Sequence, residues 1–390
     1  MKLTPLAPRP AAIAEALACR GVSGTQADAA AAGLEPAAVV VDGVDEGERE
    51  ALTQAARVRG LSSLSGTGWV FLAGDTARLA GLARPGAAAG IPRALEGALG
   101  HALQGAFEPP DTWPTARGVI ALDRPRVMGI LNVTPDSFSD GGQWLDPDAA
   151  VAHAADMLSE GADLIDIGAE STRPGRPAPV PADEEWRRLG PVVVSLARRF
   201  PNVPISVDTV KAETARRALE AGAWIINDVT GLRREPAVAD ACAAHGAGLV
   251  VMHSRGELAD LATYAHAQYG TLMTEIAEEL DGMVRTAERR GVMLERIAVD
   301  PGFGFAKQPE HNLRLLDRLA ALRALGRPIV VGPSRKRFLG TVTGREAAAR
   351  DAATAAACVL AYERGARVFR VHAVSPILDA LRVAHAARTA

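Results

Sequence analysis

Eight polar clusters in the last two-thirds of this chain hold most of the residue types that could do chemistry. They are Asn132; Glu170-Ser171-Thr172-Arg173; Asp208-Thr209; Asn227-Asp228; His253-Ser254; Asp300; Ser334-Arg335-Lys336; and Arg370-Val371-His372. Together they offer carboxylates, amides, hydroxyls and fixed cations. No Ser/His/Asp or Cys/His set stands among them, so a nucleophile activated by a neighbouring base is not indicated. Position unites the clusters, because each one closes an apolar, β-branched run. The runs are 126–133, 164–170, 204–209, 224–230, 248–254, 297–303, 328–334 and 368–374.

Helix-like stretches separate most of these runs, and several end in glycine just before the next run begins. Gly161, Gly222, Gly246, Gly291, Gly326 and Gly365 stand in that place, where glycine supplies the left-handed turn past a helix. The runs are continuously apolar rather than alternating, as in Trp224-Ile225-Ile226 and Gly248-Leu249-Val250-Val251-Met252. Parallel strands covered by helices read this way. Eight strand–helix units predict an α/β fold, a (β/α)8 TIM barrel, whose chemistry lies at the C-terminal ends of its strands. The eight clusters are therefore the candidate active site, in chain order.

A barrel of this kind takes about 250 residues, and the chain has 390. The surplus lies at the front. A strand over 37–44, a helix over 46–57, a strand over 68–73 and a helix over 76–84 predict a small N-terminal α/β domain. It is assigned to residues 1–112, and the barrel to 113–390. Pro109-Pro110, Trp113 and Pro114 read as the linker. The N-terminal part carries no phosphate loop, no metal-spaced His or Cys and no nucleophile–base pair, so a structural or docking role is expected of it.

Net charge is −3, which argues against nucleic acid or an anionic membrane as a partner. No run is long and apolar enough to span a bilayer. The three cysteines, Cys19, Cys242 and Cys358, lie far apart, which argues against disulfides and a zinc site and for a cytoplasmic protein.

Seven strings at the run ends resemble the dihydropteroate synthase family. They are MGILNVTPDSFSDGG at 128–142, ESTRPG at 170–175, ISVDT at 205–209, IINDV at 225–229, DPGFGF at 300–305, GPSRK at 332–336 and RVH at 370–372. The resemblance runs from about residue 118 to the end. It implies condensation of 6-hydroxymethyl-7,8-dihydropterin pyrophosphate with p-aminobenzoate, giving 7,8-dihydropteroate and pyrophosphate with Mg²⁺ assisting. It also implies a homodimer whose only other partners are these small-molecule substrates.

Matched residue by residue, the resemblance implies a pterin pocket of Asp208, Asn227, Met252, Asp300, Phe305 and Lys336. A pterin presents its 2-amino group and N3–H side by side, and one carboxylate, here Asp300, can accept both. Lys336 would donate to the ring carbonyl and a ring nitrogen, while Met252 and Phe305 supply apolar faces. For p-aminobenzoate the resemblance implies Phe138, Thr172, Arg173, Pro174, Ser334 and Arg335. For pyrophosphate it implies Asn132, Arg173, Arg370 and His372, with Asn132 also on the metal. Asp208, Lys336, Arg370 and His372 are the implied catalytic group. The leaving group needs charge neutralisation more than acid–base help, which fits the absence of a relay. Asp136 is a further candidate near the amine or the metal.

His253 and Asp228 stand open between function and structure, and Asp166, inside its strand, receives no role. Ala373, Ala169 and Pro333 depart from the family's usual pattern without removing an assigned residue. Three rivals remain: a pterin-dependent corrinoid methyltransferase, a non-catalytic pterin binder, and a bifunctional chain whose N-terminal part catalyses a neighbouring step.

Overall fold

The computed structural model describes residues 36–82, 93–133, 147–170, 180–258 and 260–390. They fall into two compact units that part between Glu108 and Pro109, slightly before the expected boundary at 112.

The first unit has three strands, β1 (Pro36–Asp42), β2 (Ser62–Gly66) and β3 (Trp69–Asp75), in the antiparallel order β1-β3-β2. Among the described residues three helices accompany them, α1 (Glu46–Val58), α2 (Thr76–Gly81) and α3 (Arg93–Phe107). Helix α1 starts at a capping box. The Asp45 carboxylate accepts from the Glu48 N–H at 2.8 Å, and Glu48 accepts from the Asp45 N–H at 2.9 Å. Strand β2 and helix α3 were not anticipated. The SSLSG sequence of β2 lacks an apolar pattern, and it pairs because the Thr67-Gly68 turn, with Gly68 at φ +78°, folds it against β3. Leu52, Val70, Leu72, Leu79, Leu99 and Leu103 lie in this unit's core.

The second unit opens with a hairpin, β4 (Thr112–Pro114) paired antiparallel with β5 (Val119–Ala121). This overturns the linker reading of Trp113. Its indole is fully buried and donates to the Arg296 carbonyl at 2.9 Å. Trp113, Ile120 and Leu122 form one cluster with Met128, Leu164, Ile225, Val250, Ala298, Val330 and Val368, residues of seven barrel strands. The hairpin thus plugs the floor of the barrel.

The barrel strands are β6 (Arg126–Asn132), β7 (Leu164–Gly168), β8 (Ile205–Asp208), β9 (Ile225–Asp228), β10 (Gly248–Met252), β11 (Ile297–Asp300), β12 (Val330–Val331) and β13 (Val368–Val371). All lie inside the eight runs read from the sequence, and each is shorter because its polar exit leaves the sheet. They pair in parallel in the order β11-β10-β9-β8-β7-β6-β13-β12. A bridge between Val299 and Ile329 joins β11 to β12 and closes the ring. Helices α4 (Pro147–Ser159), α5 (Ala182–Arg199), α6 (Ala212–Ala221), α7 (Ala237–His245), α8 (Leu272–Arg289) and α9 (Pro309–Asp317) alternate with the strands. After β12 come α10 (Arg337–Thr343) and α11 (Asp351–Glu363), and α12 (Ser375–Thr389) follows β13. Glycines end helices as expected, Gly222 capping α6 at φ +119° and Gly246 capping α7 at φ +59°.

The pleat then positions the chemistry. Side chains alternate faces with period two along a strand. The floor cluster fixes which set points inward: Met128, Leu164, Ile225, Val250, Ala298 and Val368. Two residues further along the same strands stand Ile130, Asp166, Asn227, Met252, Asp300 and Arg370, and one more step brings Asn132 and His372. An apolar floor and a polar mouth are thus written on one face of each strand.

Candidate active site

Arg370 is the electrostatic centre of the mouth. Its Nε donates to Asp166 Oδ2 at 2.5 Å and its Nη2 to Asp208 Oδ2 at 3.1 Å. Asp166, the residue without an assigned role, is fully buried and also accepts from Ser206 Oγ at 2.5 Å and Asn227 Nδ2 at 3.4 Å. It therefore ties β7, β8, β9 and β13 together and fixes the guanidinium. Burial pushes the Asp208 carboxyl above the usual carboxylate range, against the opposing pull of Arg370.

Asp300 closes the far side of the mouth. It is buried, and its Oδ1 accepts from the Gly302 N–H at 2.7 Å. Burial pushes its carboxyl up to about 6, with that backbone bond and the Lys336 charge working the other way. Gly302 stands at φ +70°, and a Cβ there would overlap the His253 carbonyl, so glycine is required where the chain turns beneath Asp300. Lys336 Nζ lies 3.9 Å from the centre of the Phe305 ring. Burial and nearby Arg370 hold this ammonium down at about 8. Met252 and Phe305 share an apolar cluster with Val210, Val229 and Leu261. Asn227 is buried between the two carboxylate regions.

Ser334 and His372 meet. Ser334 Oγ accepts from the His372 backbone N–H at 3.2 Å and lies 2.9 Å from His372 Nδ1. With the hydroxyl proton given to Nδ1, the ring carries its own proton on Nε2. Arg335 is held outside this group. Its Nε and Nη2 donate to both oxygens of Asp351 on α11, at 2.8 and 2.9 Å, and its backbone stands at φ +57°. Asn132 sits at the end of β6, half-buried, opposite Gly168 of β7. Phe138, Thr172, Arg173 and Pro174, with Asp136, lie outside the described residues.

Two residues left open acquire places. Asp228 accepts from the Thr230 N–H and hydroxyl, both at 2.7 Å, and from the Leu232 N–H at 2.9 Å. It is a loop staple on the barrel's outer side. His253 is buried against Lys307. Sequence reasoning missed Asp166 and Lys307. For Asp166 a signal existed: a charged residue two places beyond a floor residue on the inward face.

A Pterin binding enzyme family model matches residues 128–372. The dihydropteroate synthase of Synechocystis is 42% identical over 264 residues, covering 67% of this chain and 90% of that protein. The Escherichia coli K12 enzyme of the same name is 41% identical over 269 residues, covering 69% and 94%. Among solved structures, Xanthomonas albilineans dihydropteroate synthase with 4-aminobenzoic acid superposes with TM-score 0.65 at 46% identity, covering 70% of this chain and 96% of its own. The Burkholderia cenocepacia enzyme complexed with 7,8-dihydropteroate gives 0.64 at 43% identity, covering 72% and 98%. The chain belongs to the pterin-binding enzymes and, within them, to the dihydropteroate synthases, a group of transferases. That kinship does not favour the methyltransferase and binder readings.

Proposed function

We propose that this barrel joins p-aminobenzoate to 6-hydroxymethyl-7,8-dihydropterin pyrophosphate, releasing pyrophosphate and forming 7,8-dihydropteroate. The observation that carries the reading is the division of the mouth. Acceptor-rich Asp300 and Asn227 lie deep, while Arg370 and His372 end the last strand beside them. A pterin edge with two adjacent donors suits the first group, and a pyrophosphate suits the second.

The Asp300 carboxylate accepts the pterin 2-amino and N3–H protons, and Asn227 bonds along the same edge. Lys336 donates to the ring carbonyl and packs its stem toward Phe305. Arg370 and His372 Nε2–H take the charge that builds on the departing pyrophosphate. Carbon–oxygen cleavage leaves a methylene cation stabilised by the electron-rich dihydropterin and by Asp208. The neutral amine of p-aminobenzoate then attacks without a strong base, and the proton that becomes acidic as the new C–N bond forms passes to water or to the departing pyrophosphate. Ser334 supports the benzoate side with Phe138, Thr172, Arg173, Pro174 and Arg335. A role for Arg335 requires it to leave Asp351 or to act through its backbone.

Among the described residues no three His, Cys, Asp or Glu side chains gather into a metal cage. The Asn132 amide oxygen would be a ligand for Mg²⁺, an ion that keeps several waters and takes few protein ligands. When bound, the ion neutralises charge on the leaving group. We further propose a homodimer through the barrel helices, for which exposed Leu360 and Val383 on packed α11 and α12 speak. A cytoplasmic location suits the buried, unpaired Cys242 and Cys358. Among the described residues no helix is long and apolar enough to cross a membrane.

The test of the chemistry is an isotope experiment. Substrate labelled with oxygen-18 in the bridging carbon–oxygen bond should deliver its label to the released pyrophosphate. Label retained in a hydroxymethyl pterin would mean attack at phosphorus and would refute the mechanism.

A further inference from the structure

Lys307 is fully buried and belongs to none of the roles above. Its Nζ lies 2.8 Å from His253 Nδ1 and donates to the carbonyls of Gly302 and Phe305, each at 3.2 Å. These three acceptors match the three protons of an ammonium. The two carbonyls bracket the turn that carries the pterin-side groups. Gly302 is held on both sides, its N–H by Asp300 and its C=O by Lys307. The Phe305 carbonyl is held by Lys307 while its ring lies under Lys336.

Other bonds brace the same turn. Asn312 accepts from the Gly304 N–H at 2.7 Å and donates to the Lys307 carbonyl at 3.1 Å. Tyr269 donates its hydroxyl to the Ala306 carbonyl at 3.0 Å, and Ala306, a non-glycine residue, is held at φ +46°. Behind Lys307, His253 accepts through Nδ1, which puts its ring proton on Nε2, 3.1 Å from Glu279 Oε2. Burial, helped by the Lys307 charge, holds the ring neutral, down at about 4. Burial also lowers Lys307 itself to about 7. An isolated buried ammonium is costly, and an apolar side chain of equal length would fill the space without that cost. The arrangement makes sense if the bonds do something packing cannot.

We propose that Lys307 is a positioning residue for the pterin: it clamps the Gly302–Phe305 turn so that the Asp300 carboxylate and the Phe305 ring meet the ring system in register. The inference rests on the synthase reading of the same mouth. Misplacing a binding group by about 1 Å can cost on the order of 100-fold, so loss of the clamp should be visible in affinity.

The experiment compares Lys307→Met with the unchanged full chain, using 6-hydroxymethylpterin as a non-reacting probe in calorimetry. The expected result is a rise in the pterin Kd of about tenfold or more. The KM for p-aminobenzoate at saturating pterin substrate should change less than about twofold. A folded variant with a pterin Kd within twofold of the parent overturns the inference, as does equal damage to both substrates. If Lys307→Met does not fold, Lys307→Gln decides by the same threshold, because its amide ends one atom short of the three acceptors. No pterin binding by the unchanged protein would overturn the synthase reading and this inference with it. Equal binding by parent and variant overturns the inference alone.

Discussion

Asp300→Asn should trade function for stability, and both halves can be sized. In the bound state the carboxylate faces two donors on the pterin edge. The amide turns one acceptor into a donor, so a charge-assisted bond of about 1.5–3 kcal/mol is lost and a buried donor is left facing another, at about 1–3 kcal/mol more. The sum, roughly 2.5–6 kcal/mol, is a loss of about 10²–10⁴ in pterin affinity. In the empty protein the sign reverses. Burial raises the Asp300 carboxyl from 3.8 to about 6. The folded state thus holds this proton more tightly than the unfolded chain, so stability falls as pH rises from about 3.8 to about 6 and stays at the reduced level above that. The gap corresponds to about 3 kcal/mol at pH 8 and about half that at pH 5, where the folded carboxyl is largely protonated. The neutral amide escapes this penalty and can still accept from the Gly302 N–H. Calorimetric titration with 6-hydroxymethylpterin measures the first effect, and scanning calorimetry of the empty proteins at pH 8 and 5 measures the second. The variant should bind far more weakly yet melt higher than the parent, by more at pH 8 than at pH 5. Affinity within about threefold of the parent, or a variant less stable than the parent at pH 8, would refute the reasoning.

Asp166→Asn removes the buried counter-charge that orients Arg370, and breaking such a pair costs about 3–5 kcal/mol; kcat/KM for the pterin pyrophosphate should fall roughly 100-fold, while affinity for a pterin lacking pyrophosphate changes little, and equal losses for both ligands would contradict this. Trp113→Ala empties the barrel floor and should destabilise the protein by about 3–5 kcal/mol, read as a lowered melting temperature; an unchanged melting temperature would restore the linker reading. Gly302→Ala should weaken pterin binding by about tenfold or more, because φ is +70° and the new Cβ would overlap the His253 carbonyl. Gly282→Ala, on α8 with nothing within 4 Å of the new atom, should leave binding intact, and matching behaviour of the two variants would count against the turn's role.

The barrel was legible because its signals are local. Continuous apolar runs with polar exits recur eight times and glycine stops six times, and each is visible within about ten residues of sequence. The residues that hold the site in shape were not legible. Asp166 and Arg370 are 204 residues apart, and only the pairing of the first barrel strand, β6, with the last, β13, brings them together. Lys307 looks like the solvated lysine that usually follows a loop; its burial depends on His253, which comes from a different strand exit. Trp113 stands beside Pro110 and Pro114, a composition that spells linker, and its burial is decided by the floor residues of seven strands. Arg335 sits in a string that matched the substrate pocket, yet its guanidinium is paired with Asp351 sixteen residues on. Motif strings locate a mouth well, whereas the direction each side chain takes is set by tertiary contacts that the strings do not contain.

The most direct test is pyrophosphate release by the purified full chain given Mg²⁺, 6-hydroxymethyl-7,8-dihydropterin pyrophosphate and p-aminobenzoate, with each omitted in turn. Release that requires all three, matched mole for mole by 7,8-dihydropteroate, is the predicted result. Pterin binding without release, or release that ignores p-aminobenzoate, would contradict the account.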